Sequence, residues 1–360
     1  MYATLRSFAK INLGLCIGGL RPDGFHELLT VYQTIALHDI VRIEVKRGTG
    51  IEIRCQDARV PKDHSNTCSK IVERAMDALK ARGRVIIHIE KRLPVQGGIG
   101  GASSNAIAAL LGLQRALGKQ LSGPEKLRIA ADVGSDIPLF LIGGTVLGIG
   151  RGEQVYPLPD LPSFSCVLAL PNISVSTPQA FADWDLSLCG AGALARESSA
   201  ATTTQPKAEP AELRSPLTGK SARPHTGTAK LTVSDPSDRM NEFSRGLSAW
   251  LSNSGVPVGK GRGRAGTPLL DLVRTGIEND FEKVVFPKYP ELREAKSVLE
   301  GAGALYASLS GSGCAVYGLF ESGLGARKAV AALAKHGIAA QETTTLSRPQ
   351  YWKKFLVPSS

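Results

Sequence analysis

A glycine-rich segment that leads into a helix constrains this chain more than any other feature. Four glycines lie within residues 93–105, LPVQGGIGGASSN, directly after an apolar stretch at 85–89 that predicts a strand. The alanine- and leucine-rich stretch that follows predicts a helix over 104–117. Glycine permits positive φ angles and close approach to a ligand, and a helix N-terminus attracts anions. The segment therefore predicts a phosphate-binding loop, although it matches neither the Walker A nor the G-x-G-x-x-G pattern; the alternative is an ordinary loop with a serine cap.

Three other features have two interpretations each. A second glycine-rich segment, LSGSGCA at 309–315, lies between short apolar strands and is either a tight turn or a second wall of a nucleotide site. Lys10 lies within an apolar strand, so its side chain either extends to the surface or projects into a cleft. Asp136 comes just before Pro138 at a predicted helix start, where it is either a cap or a base beside a substrate hydroxyl.

The composition excludes several classes of protein. There are 43 Lys and Arg against 32 Asp and Glu, a net charge of +11, which suits nucleic acid, anionic lipid or phosphorylated small molecules. No run of five basic residues occurs, and this weakens the nucleic-acid interpretation. No stretch approaches the roughly 18 apolar residues of a membrane span, and the N-terminus has no signal-peptide core. The six cysteines form no C-x-x-C pair, so we expect neither a zinc site nor disulfides, and a cytoplasmic location.

A stretch of different composition divides the second half of the chain. Residues 190–266 are rich in Ala, Ser, Thr, Pro and Gly and poor in periodic apolar residues, so we expect a disordered insertion with one short helix at 240–251. On this view, replacing 192–263 with a Gly/Ser linker should leave activity nearly unchanged. Beyond it, helices are predicted over 269–285 and 290–300, with a final helix over 325–336.

Together, these motifs resemble the GHMP kinases, a superfamily that includes galactokinase, homoserine kinase and mevalonate kinase. The resemblance is carried by segments 8–13, 94–105, 134–138 and 309–313. Three further segments are similar to the members that act on a cytidine diphosphate derivative in isoprenoid precursor synthesis. These are 19–28, with Arg21-Pro22-Asp23-Gly24-Phe25-His26-Glu27, then 31–33 with the nearby Asp39, and 279–282. The stretch 190–266 is a departure, because typical members lack it.

The resemblance implies an α+β fold of two lobes with the active site between them. The N-terminal lobe, 1–160, would have the fold of ribosomal protein S5 domain 2, and the C-terminal lobe, 161–358, would be ferredoxin-like. The implied reaction transfers the γ-phosphoryl group of ATP, with Mg²⁺, to a hydroxyl of a small-molecule substrate. We expect a monomer or homodimer that binds neither nucleic acid nor membrane. Two alternatives stay open: a kinase of the homoserine or mevalonate type, or a non-catalytic nucleotide- or nucleic-acid-binding protein.

The resemblance also implies roles for individual residues. Asp136 corresponds to the catalytic aspartate and Lys10 to the catalytic lysine. The following would bind ATP, with Ser104 also near the magnesium ion: Asn66, Pro94, Val95, Gln96, Gly97, Gly98, Ile99, Gly100, Gly101, Ala102, Ser103, Ser104, Gly311 and Gly313. The substrate would contact Asn12, Phe25, His26, Tyr32 and Phe181. In this scheme His26 would hydrogen-bond the cytosine edge between stacked Phe25 and Phe181, with Trp184 as the substitute for Phe181.

Overall fold

The computed structural model describes residues 2–95, 97–200, 236–253 and 268–357, which form two lobes. The described strands of the first lobe are β1 (Tyr2–Leu20), β2 (His26–Lys46), β3 (Ile51–Cys55), β4 (Arg84–Glu90), β5 (Thr145–Ile149) and β6 (Gln154–Pro157). Their order is β3-β4-β2-β5-β6, with β1 paired along β2. All neighbours are antiparallel except β3 and β4, which are parallel. The long β1–β2 hairpin extends toward the second lobe and therefore carries residues to the boundary between lobes.

Two helices, α1 (Thr67–Ala78) and α2 (Gly101–Leu117), pack on this sheet and on each other, and a third, α3 (Gly123–Val133), packs on α1. In α1 the buried residues Cys68, Ile71, Val72 and Ala75 recur at helical spacing and face the core. The small residues of α2 let it lie close to the sheet, since a Cβ at Gly112 would come within 2.8 Å of Leu5. A short 3₁₀ helix (Pro138–Leu141) follows α3. The predicted helix over 104–117 is confirmed but begins three residues earlier.

The second lobe has the predicted ferredoxin-like arrangement. Its strands are β7 (Ser165–Leu170), β8 (Tyr306–Leu309), β9 (Val316–Phe320) and β10 (Ala339–Thr344), in the antiparallel order β10-β7-β9-β8. The helices α4 (Thr177–Ala200), α5 (Pro236–Asn253), α6 (Pro268–Gly276), α7 (Glu282–Lys288) and α8 (Pro290–Gly301) lie between β7 and β8 in the chain, and α9 (Gly323–Lys335) lies between β9 and β10. The two-lobed α+β fold expected from the sequence is therefore confirmed.

The single helix predicted over 269–285 was wrong. The chain forms α6, then an irregular segment at 277–281, then α7. The interruption has a structural cause: the backbone N–H of Leu15 donates to the carbonyl oxygen of Ile277, and the N–H of Asp280 donates to that of Leu15. The Ile277 carbonyl oxygen and the Asp280 N–H are therefore paired with β1 and do not continue the helical hydrogen bonding.

The stretch 190–266 is not one disordered insertion, and this prediction needs correction. Helix α4 continues to Ala200, and the helix expected at 240–251 is present as α5. Phe243 and Leu247 on α5 are 1% and 5% exposed and pack with Val273 and Ile277 in the core between the lobes. Burial of these apolar side chains overrides the weak local composition signal. Residues 201–235 and 254–267 lie outside the described part of the chain.

The chain ends with a helix that the sequence did not predict, α10 (Arg348–Phe355). It packs on the first lobe although the preceding strand belongs to the second. The Tyr351 ring lies 5.4 Å from that of Phe8, and its hydroxyl donates to the carbonyl oxygen of Phe140 at 2.8 Å. Residues 1–160 therefore do not form the first lobe alone.

Candidate active site

The two glycine-rich segments meet backbone to backbone between the lobes. Gly98 has a φ of +72°, and a Cβ there would lie 2.5 Å from the carbonyl oxygen of Ser310. A Cβ at Gly313 would lie 2.6 Å from the Gly98 Cα, so only glycine fits on either side. The Ser310 hydroxyl donates to the Gly98 carbonyl oxygen at 3.2 Å. The two loops form one continuous wall, as the sequence suggested for the second loop.

Asp39 anchors the residues that lead into the first glycine loop. Its carboxylate is fully buried and accepts four hydrogen bonds. Two come from the backbone N–H groups of Arg92 and Leu93, at 2.7 and 2.8 Å, and two from the side chains of Lys91 and Asn105, at 2.6 and 3.0 Å. A carboxylate with this many donors fixes the loop rigidly, which gives the Asp39 of the sequence motif a structural role.

The N-terminus of α2 is left open for an anion. Gly100, the N-cap residue, has a φ of +70° and offers no side-chain cap, and the first turn has no acidic residue. A Cβ at Gly100 would lie 2.9 Å from Phe140 and 3.0 Å from Lys10, so the loop packs tightly here. The first helical N–H groups and the helix dipole therefore present positive charge that suits a phosphate.

Two cavities meet at this helix start and share Gly98, Gly100 and Ser103. The first, of about 380 Å³, is lined by the glycine loop, by Lys91, and by the segment of Arg59, Pro61 and Asn66 before α1. The second, of about 760 Å³, extends between the β1–β2 hairpin, the start of α4 and the second glycine loop. This arrangement can hold two ligands end to end, with the phosphate cradle between them.

Lys10, Asn12, Tyr32 and Asp136 form a polar cluster in the wall of the larger cavity. The buried Lys10 ammonium donates to Asn12 Oδ1 at 2.6 Å and lies 3.3 Å from Asp136 Oδ2. The Tyr32 hydroxyl donates to Asp136 Oδ1 at 3.1 Å. Asp136 is about one-third exposed and lines the cavity, so its carboxylate contacts Lys10 and Tyr32 on one side and is open to the cavity on the other. The strand lysine projects into a cleft, as one of its two interpretations predicted.

Asp136 does not cap the helix that follows it. The N-cap position of the 3₁₀ helix is Ile137, and no side chain caps it. Burial and the neighbouring Asp136 carboxylate raise the pKa of Tyr32 well above its usual value. The Tyr32 hydroxyl therefore keeps its proton and remains a donor to Asp136 at neutral pH.

The far end of the larger cavity contains the aromatic residues of the sequence motifs. The rings of His26 and Phe181 stack with centroids 5.3 Å apart and planes within 6°. His26 Nδ1 lies 3.2 Å from the carbonyl oxygen of Gly18, and Nε2 lies 3.1 Å from Asp185 Oδ1. Phe25 is half exposed, with the Arg151 guanidinium 5.0 Å from its ring centroid. Because His26 covers one face of Phe181, a base stacked between Phe25 and Phe181 stays a prediction.

Trp184 is excluded as the substitute for Phe181. Its side chain is 3% exposed and packs in the core of the second lobe, with Lys283 5.5 Å from its ring centroid. It does not line the cavity, whereas Phe181, three residues earlier on α4, does.

Two predicted nucleotide contacts stay predictions, and one lies outside the described residues. The Asn66 side chain caps α1, since its oxygen accepts from the Cys68 N–H and its amide donates to the Pro61 carbonyl oxygen. Ser104 is fully buried and lines neither cavity, because the turn of the helix directs Ser103 to the junction instead. Among the described residues the Ser104 hydroxyl has no hydrogen-bond partner, and its placement near a metal ion stays a prediction. Gln96 lies outside the described residues.

Residues 279–282 hydrogen-bond to the second glycine loop and to the strand that leads into it. The Asn279 amide donates to the carbonyl oxygens of Leu309 and Gly311, each at 2.8 Å. Glu282 accepts from the N–H of Leu309 at 2.9 Å and from the Ser308 hydroxyl at 2.8 Å. The sequence identified this motif but not its task, which is to shape the loop carrying Gly311 and Gly313.

Comparisons with known proteins agree with this geometry. The family model described as GHMP kinases N terminal domain matches residues 66–144, and that described as GHMP kinases C terminal matches residues 267–339. The lobes and the paired glycine loops are thus those of the GHMP class of kinases.

Similar proteins narrow the class. A 4-diphosphocytidyl-2-C-methyl-D-erythritol kinase of Solibacter usitatus is 37% identical over 326 residues, 89% of this chain and 82% of the relative. One of Synechococcus elongatus is 36% identical over 329 residues, 91% of this chain and 89% of the relative. The chain belongs to the GHMP kinase family, and within it to the group of these 4-diphosphocytidyl-2-C-methyl-D-erythritol kinases.

Solved structures support the same fold. A crystal structure of a 4-(cytidine 5'-diphospho)-2C-methyl-D-erythritol kinase matches with a TM-score of 0.62 and 25% identity, over 96% of this chain and 99% of that one. A homoserine kinase of Cytophaga hutchinsonii matches with a TM-score of 0.64 over 96% and 95% of the two chains; at 17% identity, it shows the fold alone. No described helix is both long and apolar enough to span a bilayer.

Proposed function

We propose that this protein phosphorylates a hydroxyl of 4-diphosphocytidyl-2-C-methyl-D-erythritol with ATP, giving the 2-phosphate, in isoprenoid precursor synthesis. The observation that carries the proposal is the Lys10–Asp136–Tyr32 cluster, which lies in the larger cavity beside the glycine cradle. Phosphoryl transfer needs positioning and charge stabilisation more than covalent chemistry, and this site supplies both. The names of the two relatives described above support the same substrate. We expect a cytoplasmic enzyme, monomeric or homodimeric, that does not bind nucleic acid.

The cluster would act on the substrate hydroxyl. Asp136 would accept the hydroxyl proton or orient the hydroxyl toward the phosphorus atom. Lys10, 3.3 Å away, would orient that carboxylate and stabilise negative charge on the transferring group. Tyr32 would hold the other carboxylate oxygen through its protonated hydroxyl. Asn12, already bonded to Lys10, would help to position the substrate.

The smaller cavity and the junction would hold the nucleotide. The open N–H groups at the start of α2 would bind the phosphates. The loops pack so closely at Gly98, Gly100 and Gly313 that a side chain at any of these positions would collide with neighbouring atoms. Mg²⁺ would neutralise phosphate charge, held largely by phosphate oxygens and water with the Ser103 hydroxyl at the junction. A serine hydroxyl, phosphate oxygens and water are the oxygen ligands that Mg²⁺ prefers. Among the described residues, no group of three or more His, Cys, Asp and Glu could hold a metal ion.

A phosphotransfer panel tests the proposal. The purified protein is incubated with ATP, Mg²⁺ and one acceptor: 4-diphosphocytidyl-2-C-methyl-D-erythritol, homoserine or mevalonate. We expect phosphorylation of the first alone, at the 2-hydroxyl, identified by phosphorus nuclear magnetic resonance. Phosphorylation of homoserine or mevalonate with greater kcat/KM would overturn the proposed substrate while keeping the kinase assignment.

A further inference from the structure

Asp185 lies at the end of the larger cavity, beside the stacked rings of His26 and Phe181. It is on α4, one helical turn after Phe181, so the two side chains project from the same face. Its carboxylate is about half exposed and lines the cavity. Among the described residues, His26 is the only polar side-chain partner of Asp185, whose Oδ1 lies 3.1 Å from Nε2.

The contacts of Asp185 differ from those of its neighbour Asp183. Asp183 is bonded to Lys288 at 2.6 Å and to Gln179 at 2.9 Å, so it ties α4 to α7. Apart from its contact with His26 at the start of β2, Asp185 makes no bond to another described helix or strand. A carboxylate open to a cavity and opposite a buried histidine is therefore available to a ligand.

Both ring nitrogens of His26 face acceptors. Nδ1 lies against the Gly18 carbonyl oxygen, and Nε2 lies against Asp185. A neutral imidazole has one N–H and can serve only one of these acceptors, whereas an imidazolium serves both. When His26 turns an Nε2–H to a ligand, Asp185 loses its donor and needs another one. The ligand that suits this pair offers an acceptor to His26 and a donor to Asp185, side by side.

We propose that Asp185 accepts a hydrogen bond from the 4-amino group of cytosine and thereby selects cytidine over uridine substrates. The inference rests on the proposed function. Cytosine presents its 4-amino donor next to the N3 acceptor, which complements a carboxylate beside an imidazole N–H. Uracil presents an acceptor oxygen at position 4 and a donor at N3, so it reverses both groups. A uracil oxygen against Asp185 would leave two acceptors facing each other in a partly enclosed site.

The test compares substrate preference in Asp185→Asn and the parent enzyme. Phosphorylation of 4-diphosphocytidyl-2-C-methyl-D-erythritol and of its uridine analogue is measured with ATP, and kcat/KM is compared. We expect the parent to prefer cytidine by about 100-fold or more, since a site built to bond a substrate donor strongly rejects its absence. Asp185→Asn should lower that ratio at least tenfold and leave the KM for ATP unchanged, because an amide can donate to the uracil oxygen.

The matched control is Asp183→Asn, which removes a carboxylate from the same helix without altering the cavity. It should keep the parent ratio even if it lowers the melting temperature. Calorimetric binding of CDP and UDP to each variant gives a second readout that needs no turnover, and it should show the same loss of preference.

The outcomes separate the two proposals. A parent that phosphorylates neither compound would overturn the proposed function and this inference together. A parent that prefers cytidine, with a preference that survives in Asp185→Asn, would overturn this inference alone. In that case Asp185→Asn would lower kcat/KM equally for the cytidine and uridine substrates. Asp185 would then only orient His26.

Discussion

The side chains of Lys10 and Asp136 acquire their properties from what surrounds them. The Lys10 ammonium is 4% exposed, yet it has Asn12 and Asp136 as partners, so its charge can be kept inside the protein. Asp136 is held by Lys10 and Tyr32 on one side and open on the other. A group fixed in this way loses little entropy when substrate binds, and that is the condition for effective acid–base or orienting work.

Replacing Asp136 tests this arrangement at the residue scale. Asp136→Asn should keep the fold and ATP binding but lower kcat by about 10²–10⁴-fold, the usual contribution of such groups. Asp132→Asn is the control, since Asp132 is exposed and pairs with Arg128 on the surface of α3. Steady-state kinetics and thermal unfolding distinguish the cases. Near-normal turnover of Asp136→Asn would leave the aspartate without a part in the reaction.

At the scale of elements, the glycine loops work because distant pieces of chain brace them. Asp39 on β2 anchors the first loop, and Asn279 and Glu282 anchor the second. Helix α5 holds the 279–282 motif through Arg239, whose guanidinium donates to both carboxylate oxygens of Asp280 at 2.8 and 3.2 Å. Asp280 also accepts from the Ile17 N–H, so α5, β1 and the 279–282 motif are joined.

A substitution at Gly98 tests the contact between the loops. Gly98→Ala places a Cβ against the Ser310 carbonyl oxygen at a φ of +72°, so the loops must separate. We expect a higher KM for ATP and a loss of about 1–3 kcal/mol in the free energy of unfolding. Gly123→Ala is the matched control, because a Cβ there meets nothing within 4 Å. Equal behaviour of the two variants in kinetics and urea unfolding would contradict the close loop contact.

The bond from α5 to Asp280 gives a second prediction at this scale. Arg239→Ala leaves a fully buried carboxylate with one cationic partner fewer, and Lys283 alone is mostly exposed. Breaking a buried pair typically costs about 3–5 kcal/mol, and we expect the lower end here, measured by urea unfolding. Arg245→Ala, on the same helix with an exposed side chain, should change stability by less than about 0.5 kcal/mol. A similar small change for Arg239→Ala would mean that the pair does not support the fold.

Over the whole molecule, the cleft exists because chain segments cross between lobes. The β1–β2 hairpin extends from the first sheet into the core between the lobes, α10 returns to the first lobe, and α5 closes the core beside β1. The stretch at 190–266 is therefore part structural support and part sequence of low apolar content. This division corrects the expectation that the whole stretch could be replaced.

Two deletions test that division. Replacing 192–263 with a Gly/Ser linker removes α5 with its buried Phe243 and Leu247, and each such side chain contributes about 1.5–3 kcal/mol. We expect a protein with a much lower melting temperature and little activity. Replacing only 204–232 keeps α5 and removes residues of low apolar content, so activity should stay within a few-fold. Kinase activity and melting temperature are measured for both variants. Equal losses of activity and of melting temperature in the two would contradict this view.

Sequence alone predicts those elements of this site that depend on neighbouring residues. Glycines before a helix predict a phosphate loop because backbone freedom and helix termini are local properties. The motif residues Lys10 and Asp136 were correctly expected in one cleft, and both glycine loops were correctly expected at it.

The tertiary structure decided what depends on residues far apart in the chain. Which serine faces the cavities follows from the rotation of α2 on its sheet, and the contact of Asp185 with His26 follows from how α4 packs beside the β1–β2 hairpin. The place of α5 in the core could not be predicted from composition, because Phe243 and Leu247 gain their stability from partners such as Val273 and Ile277. Burial is a property of the assembled fold, and no local pattern of residues specifies which partner a side chain will meet.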